Sequence, residues 1–162
     1  MTSRTKTVQW ADPSVFPEAV KGKTGREFLE LIISGALPQA PISATLDFKL
    51  IETGDGIAKF EGVPNESLFN PMGSVHGGWA ATLLDSAMGS SVMSICDANT
   101  AYTTAQLQLH LTRAILPATG KVIAEGKVVH RGKQLVTAEG RLTDDKGRVL
   151  AHGTTTCMLF PR

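Results

Sequence analysis

One acidic residue, Asp85, lies in a segment whose other residues suit a buried helix. Residues 75–95 contain no Lys, Arg or Glu, and apolar or small residues occur on every side of the helix they would form. Asp is a poor residue for a helix interior because its short side chain competes for backbone groups. A buried, unpaired carboxylate also costs free energy or acquires a raised pKa. Asp85 therefore either takes part in the function of the protein or belongs to a polar edge of the helix that faces water or another subunit.

Two glycines, Gly77 and Gly78, open the same helix. The first N–H groups of a helix have no intrahelical partner, and without side chains a ligand could approach them closely. Such donors suit an oxyanion, and a carboxylate suits a general base or nucleophile, so the pair predicts acyl-transfer chemistry. Eight residues separate Gly77 from Asp85, about 12 Å along one helix axis. That is too far for one carbonyl, so we expect an antiparallel second copy of the helix in a dimer. The alternative for the glycines is a tight turn.

The surrounding elements predict an α+β architecture: an antiparallel sheet wrapped around one long central helix. Thr24 is expected to cap a helix that stops at Gly35, and 46–63 is expected to form a hairpin. Further strands are predicted at about 106–111, 122–129, 136–142 and 149–159, joined by short turns. Residues 1–24 are predicted to be an irregular N-terminal arm docked by Trp10 and Phe16, and 25–162 one domain.

Composition excludes several functional classes. A chain of 162 residues with a net charge of +1 suits a single domain and argues against a nucleic-acid binder. Cys96 and Cys157 are too few for a disulfide framework, and no His, Cys and carboxylate spacing predicts a metal site. Without a signal-like or membrane-spanning segment, we expect a cytoplasmic protein that binds no membrane.

The stretch Asn70-Pro-Met-Gly73-Ser-Val-His76-Gly77-Gly78, followed by Thr82-Leu83 and Asp85, resembles the signature of hotdog-fold thioesterases. The similarity is greatest to the PaaI-like acyl-CoA thioesterases of the 4-hydroxybenzoyl-CoA thioesterase superfamily, and it covers about residues 25–160. The resemblance implies hydrolysis of an acyl-CoA to the free acid and CoA, with no cofactor. It also implies a homodimer or a dimer of dimers.

The resemblance assigns the catalytic roles as follows. The Gly77 N–H would polarise the thioester carbonyl, and Asp85 of the partner chain would activate water or attack directly. Asn70 would hold the carbonyl or the water, while His76 would support the loop and Asn70. Thr104 matches a hydroxyl that orients water in some relatives.

The resemblance places CoA binding at Gly78 and at the turn Arg131-Gly132-Lys133, with help from Arg113. The alternative, of equal weight, is that these cations belong to an ordinary charged hairpin on the protein surface. The chain departs from the family at Ala114, where relatives often have Pro. It also has Asp85 and Gly89 where the 4-hydroxybenzoyl-CoA enzymes have Glu and Thr, which favours the PaaI-like branch.

Other functions compatible with this sequence are a non-catalytic acyl-CoA binding or regulatory module, a hotdog enoyl-CoA hydratase, and a purely structural interaction domain. The acyl group stays open between medium chains and aryl groups such as phenylacetyl. Its pocket depends on which residues face the ligand among Trp79, Met88, Phe69 and Leu68.

Overall fold

The computed structural model describes residues 2–162, which form one antiparallel sheet and a central helix. The helices are α1 (Val15–Ala19), α2 (Gly25–Ile33), α3 (Pro41–Leu46) and α4 (Gly77–Met93). The strands are β1 (Phe48–Gly54), β2 (Ile57–Gly62), β3 (Thr100–Leu111), β4 (Val122–Arg131), β5 (Leu135–Asp144) and β6 (Val149–Pro161). Short 3₁₀ turns lie at Glu66–Leu68 and Pro117–Thr119. The strand order β1-β2-β4-β5-β6-β3 confirms the predicted α+β class and hotdog fold.

Helix α4 is the core of the fold because the sheet covers most of its surface. Leu83, Leu84, Ala87, Met88 and Val92 have no exposed surface. Between its two ends, the helix stays partly exposed only along a narrow strip, at Ala81, Thr82, Asp85 and Ser86. The even distribution of apolar residues around 75–95 thus reflects burial on nearly all sides.

Glycines allow the sheet to lie directly against the backbone of α4. A Cβ atom at Gly126 of β4 would overlap the backbone of Ala87 in the middle of the helix. At the end of α4, a Cβ atom at Gly25 would overlap the carbonyl of Met93, so α2 also needs a glycine to dock. Backbone cannot give way as a flexible side chain can, so these positions fix the distance between the layers.

Strand β3 forms one edge of the sheet and is bonded on one side only, to β6. Its residues 103–108 are all exposed. Leu107 and Leu111 lie on the helix side of this strand and are 37% and 58% exposed. A twelve-residue edge with unpaired backbone groups and exposed leucines is a surface suited to pairing with another strand.

The predicted boundaries of β4, β5 and β6 hold within two residues, whereas β3 begins at Thr100, before the predicted start, and the prediction fails near residue 46. Thr24 caps α2 with a capping box, as predicted, and Gly35 follows the helix at φ 79°. Leu46, however, ends α3 instead of beginning a strand. Pro41 occupies a first-turn position of that helix, and Asp47 ends it in the left-handed conformation at φ 54°. The hairpin therefore begins at Phe48.

The arm differs from the prediction in two respects. It contains the short helix α1, so it is not irregular throughout. The Phe16 ring packs edge-on against Phe28 of α2 with centroids 6.2 Å apart, which confirms its docking role. Trp10 is 60% exposed, so its predicted docking is wrong. The division of the chain at residue 24 stays a prediction.

Substitution of Gly126 by Ala should destabilise the fold, because the new methyl group meets helix backbone. We expect the free energy of unfolding to fall by about 3 kcal/mol and Tm to fall by roughly 6–12 °C. Thermal and urea denaturation measure both quantities. Gly54→Ala is the control, since its nearest contact would be 3.8 Å away. Equal stability of the two variants would contradict the close-approach argument.

Candidate functional site

Asp85 lies on the partly exposed strip of α4 and points toward the edge strand. Its Oδ1 accepts a hydrogen bond of 3.0 Å from the Thr104 hydroxyl of β3. No Lys or Arg among residues 2–162 forms an ion pair with it. The structure thus brings together Asp85 and Thr104, and it leaves the other carboxylate oxygen without a recorded protein partner.

Tyr102 lies beside this carboxylate and was not singled out from the sequence. A Cβ atom at Gly89, one turn after Asp85, would come within 3.0 Å of the Tyr102 hydroxyl oxygen. Burial raises the pKa of Tyr102, and the nearby carboxylate of Asp85 adds to the effect. Tyr102 is therefore a neutral wall of the site at physiological pH. The glycine at 89 was the signal that something bulky approaches the helix there.

Gly77 provides a free backbone donor at the first turn of α4. Among the hydrogen bonds of residues 2–162, none uses the Gly77 N–H. Gly77 lines a cleft of about 260 Å³ together with Asn70, Leu111 and Arg113. A helix N-terminus with an unpartnered N–H in an open cleft is suited to an oxyanion.

The predicted second donor, Gly78, is not free. Its N–H donates to the Nδ1 atom of His76 over 2.9 Å, because His76 is the N-cap of α4. The expectation of two free N–H groups at the helix start is thus wrong, and one remains, at Gly77. A lone Gly-Gly pair could not reveal which donor the cap residue would take.

His76 and Asn70 both lie before the helix but serve separate parts of the loop. The backbone N–H of His76 donates to the carbonyl of Leu68, so His76 ties the loop to the helix start. Asn70 closes its own turn: its Oδ1 accepts from the N–H groups of Met72 and Ser74, and its Nδ2 donates to the Ser74 hydroxyl. No hydrogen bond joins His76 to Asn70, so the expected support of one by the other is not observed among residues 2–162. Asn70 shares the Gly77 cleft.

The two chemical groups lie at opposite ends of the edge strand. Asp85 is bonded to Thr104, near the start of β3, while Gly77 lies against Leu111, at its end. Helix α4 and strand β3 therefore run in opposite directions past each other. Within one chain, Asp85 and Gly77 remain about 12 Å apart along the helix and cannot meet at one carbonyl.

The predicted cations do not gather in one place. Arg113 lines the Gly77 cleft, whereas Arg131, Gly132 and Lys133 line a cleft of about 550 Å³ at the start of β3. The Arg131 guanidinium donates to the carbonyl of Ile95 over 2.9 Å. Polar and apolar side chains complete that cleft: Asn99, Thr100, Gln134, Leu159, Phe160 and Pro161.

An apolar crevice of about 340 Å³ lies beside the first two turns of α4. Three of the four candidates for the acyl pocket, Leu68, Phe69 and Trp79, line it, together with Leu46, Ser67, His76, Gly78 and Thr82. The Trp79 indole N–H donates to the Leu46 carbonyl over 2.7 Å, so the ring presents only carbon to the crevice. Met88 lies in the core instead, with no exposed surface.

Neither cysteine is a reactive group of this site, although Cys157 of β6 pairs with Thr104 of β3. Both are buried and free, and burial raises the pKa of each thiol. Within residues 2–162, no three His, Cys, Asp and Glu side chains are placed to share a metal ion. In the same part of the chain, no helix has the length and apolar character needed to cross a membrane.

Comparison with known proteins supports the same assignment. Residues 72–151 match the thioesterase superfamily, a range that includes Gly77, Asp85, Thr104 and Arg131. No curated protein matches the chain in sequence.

Solved structures share the fold over most of the chain. A phenylacetic acid degradation-related protein from Ralstonia eutropha is 23% identical with a TM-score of 0.72, covering 80% of this chain and 98% of its own. The PaaI protein from the phenylacetic acid degradation operon of E. coli is 17% identical with a TM-score of 0.72, covering 83% and 95%. A thioesterase family protein from Silicibacter pomeroyi is 21% identical with a TM-score of 0.73, covering 83% and 99%.

The matched range holds both the helix with Asp85 and the edge strand that bonds it, and the architecture around them is that of the neighbours. The chain is a hotdog-fold member of the thioesterase superfamily, and therefore a thioester hydrolase.

Proposed function

We propose that the protein hydrolyses a small or medium acyl-CoA thioester to the free acid and CoA, as PaaI-like enzymes do. One observation carries the proposal: a lone carboxylate, held by Thr104, and a free N–H, on Gly77, occur at the two ends of one exposed edge strand. Phenylacetic acid degradation appears in the descriptions of two structural neighbours. Phenylacetyl-CoA is therefore the first aryl substrate to test.

The proposed site forms between two chains. If two β3 strands pair antiparallel about a two-fold axis between Leu107 and Gln108, Thr104 lies opposite the partner's Leu111. This pairing brings Asp85 of one chain toward Gly77 of the other, twice per dimer. It also covers the exposed side chains of Leu107 and Leu111 and satisfies the free backbone groups of the edge. A dimer of dimers is compatible with this arrangement.

The proposed reaction is a single acyl transfer to water. Asp85 takes a proton from water while the water oxygen adds to the thioester carbon, and the Gly77 N–H stabilises the oxyanion. The C–S bond then breaks, and the leaving thiolate takes the proton back from Asp85. In the nucleophilic alternative, the Asp85 oxygen itself adds to the carbon, the C–S bond breaks and CoA leaves as the thiolate. Water then cleaves the resulting anhydride, which releases the acid and restores the Asp85 carboxylate, while the proton lost by water passes to the thiolate. Thr104 fixes the carboxylate in either case.

The remaining predicted residues support this chemistry. Asn70 borders the Gly77 cleft, where its amide would hold the carbonyl or the water. His76 holds the first turn of α4 through the Gly78 N–H, which leaves the Gly77 N–H as the donor. Gly78 contributes a surface without a side chain beside the apolar crevice, where the acyl group would lie.

The CoA nucleotide would occupy the cleft at Arg131, Gly132 and Lys133. This cleft contains Thr100, four residues before Thr104 and about 13 Å away along an extended strand. The pantetheine arm would run along that stretch from the reacting carbonyl to the phosphates. Lys133 and Arg131 offer charge to the phosphates, while Arg113 lies at the other end of the strand, where it would contact the substrate of the second site.

Asp85→Asn should abolish most of the activity, because the amide cannot accept the proton from water. We expect kcat to fall by about 10²–10⁴ in a thiol-release assay with a panel of acyl-CoAs. Ser86→Ala, on the same strip of α4, is the control and should retain the rate. Equal rates for Asp85→Asn and wild type would remove the assigned role. Acyl-CoA binding by calorimetry without turnover in the wild type would favour a binding module.

Gly77→Pro removes the proposed oxyanion donor and keeps the helix start, since Pro is favoured at this position and His76 already has an extended conformation. We expect kcat to fall by about 10²–10³. Gly77→Ala adds a Cβ atom against the flexible end of Leu111 but retains the N–H, so its loss should be far smaller. A loss in the Ala variant as large as in the Pro variant would mean that bulk, and not the donor, matters.

Mixing these two defects tests whether the site spans two chains. A dimer of one Asp85→Asn chain and one Gly77→Pro chain retains one complete site out of two. Random co-assembly should therefore restore about a quarter of the wild-type rate from two nearly inactive parents. No recovery in a mixture shown by mass spectrometry to contain the mixed dimer would place both groups in one chain.

Lys133→Ala should weaken CoA binding and leave the chemical step intact. We expect KM for the acyl-CoA to rise by about fivefold to tenfold with kcat unchanged. The matched substrate is the thioester of pantetheine alone, which lacks the nucleotide and should be hydrolysed equally by both proteins. A KM increase for both substrates would argue against a nucleotide contact.

A further inference from the structure

We propose that an N-terminal strap, residues 3–8, sets the acyl-chain selectivity of the site by holding the outer wall of the apolar crevice. This inference rests on the proposed function. The strap belongs to a part of the chain for which the sequence comparison offered no counterpart. The structural neighbours match almost all of their own length, yet they leave about a fifth of this chain unmatched.

The strap is tied to the fold through the side chain of Lys6. Its Nζ donates to the carboxylate of Asp47 over 2.6 Å and to the carbonyl of Thr45 over 3.0 Å. Arg4 adds an ion pair of 3.1 Å with Glu66. The Lys6 and Asp47 side chains are only 31% and 36% exposed, so their ion pair is less screened than a fully exposed one.

A chain of polar contacts leads from the strap to the crevice wall. The Asp47 oxygen bound by Lys6 also accepts from the Asn65 amide over 2.6 Å. Asn65 in turn accepts from both the N–H and the hydroxyl of Ser67, at 3.0 and 2.6 Å. The position of the strap is thus coupled to the 3₁₀ turn at Glu66–Leu68.

That turn separates two spaces. On its outer side, a cleft of about 460 Å³ is lined by the strap and by Glu66, Ser67 and Phe69. On its inner side, Ser67 and Phe69 line the apolar crevice next to Gly78 and Thr82 of α4. Thr82 is one turn before Asp85, so an acyl group in the crevice extends from the reacting carbon toward this wall. A wall held in place limits how long or bulky that group can be.

The ion pair at Asp47 also lies at a conformational boundary. Asp47 is the one non-glycine residue with positive φ among residues 2–162, at 54°, and it ends α3 next to Leu46, whose carbonyl holds the Trp79 indole. Lys6 therefore contacts the segment that positions both the Trp79 side and the Phe69 side of the crevice.

Lys6→Glu tests the role of the strap. The new carboxylate lies next to that of Asp47, and their repulsion moves the strap away from Asp47. We expect the ratio of kcat/KM for decanoyl-CoA to that for hexanoyl-CoA to rise at least about threefold. Lys6→Arg should retain the wild-type ratio. Lys21→Glu is the matched control, since Lys21 forms an ion pair of equal length, 2.6 Å, with Glu18 in α1, away from the crevice.

Binding of decanoate gives a second measurement that does not depend on hydrolysis. In a Trp10→Phe background, Trp79 is the single tryptophan, and its fluorescence should respond to decanoate with an affinity that Lys6→Glu changes and Lys21→Glu does not. If the wild type hydrolyses no thioester, the proposed function fails while decanoate binding still judges the strap. Identical selectivity and decanoate affinity for Lys6→Glu and Lys21→Glu would overturn the inference.

Discussion

The close contact between the sheet and the backbone of α4 is the constraint on which the rest of the structure depends. The sheet around Gly126 covers the helix so completely that, between the two helix ends, one narrow strip remains open, beside the edge strand β3. A polar group on this helix must lie on that strip or be buried without water. Asp85 lies there, which explains how one carboxylate is tolerated in a helix without any other charge.

The same strip explains why the chemistry is divided between two ends of one strand. The helix start supplies a donor that its own cap leaves free, at Gly77, and the next turns supply the carboxylate bonded to Thr104. A rigid helix keeps these groups apart within one chain, and the proposed dimer would combine the carboxylate of one chain with the donor of the other. In this chain an apolar crevice and a basic cleft lie near the strip.

Local sequence patterns predicted a helix start correctly at Thr24. They were misleading where the cap or the end of a helix depends on other interactions. Thr24 was recognisable as a cap because it precedes a run of apolar residues at helical spacing, and the structure adds a capping box with Glu27. His76 also caps a helix, because a nitrogen of its ring accepts a hydrogen bond from the Gly78 N–H. No spacing of residues in the sequence predicts this cap. Leu46 alternates with Phe48 and Leu50 as a strand residue would, yet Pro41 begins a helix that includes it, and Asp47 must turn left-handed to end that helix.

The sequence by itself determined the order of the six strands and the two longer helices, the burial of α4 and the type of chemistry, because periodicity and the placement of one acid among apolar residues are properties of neighbours along the chain. It missed the short helices α1 and α3. Only the tertiary structure decided which donor is free, that Tyr102 borders the carboxylate, and that Arg113 and Arg131 serve different clefts. It also decided that Lys6 reaches Asp47, forty-one residues away. Such contacts depend on how layers pack in space, and residues distant in sequence carry no local signal of meeting.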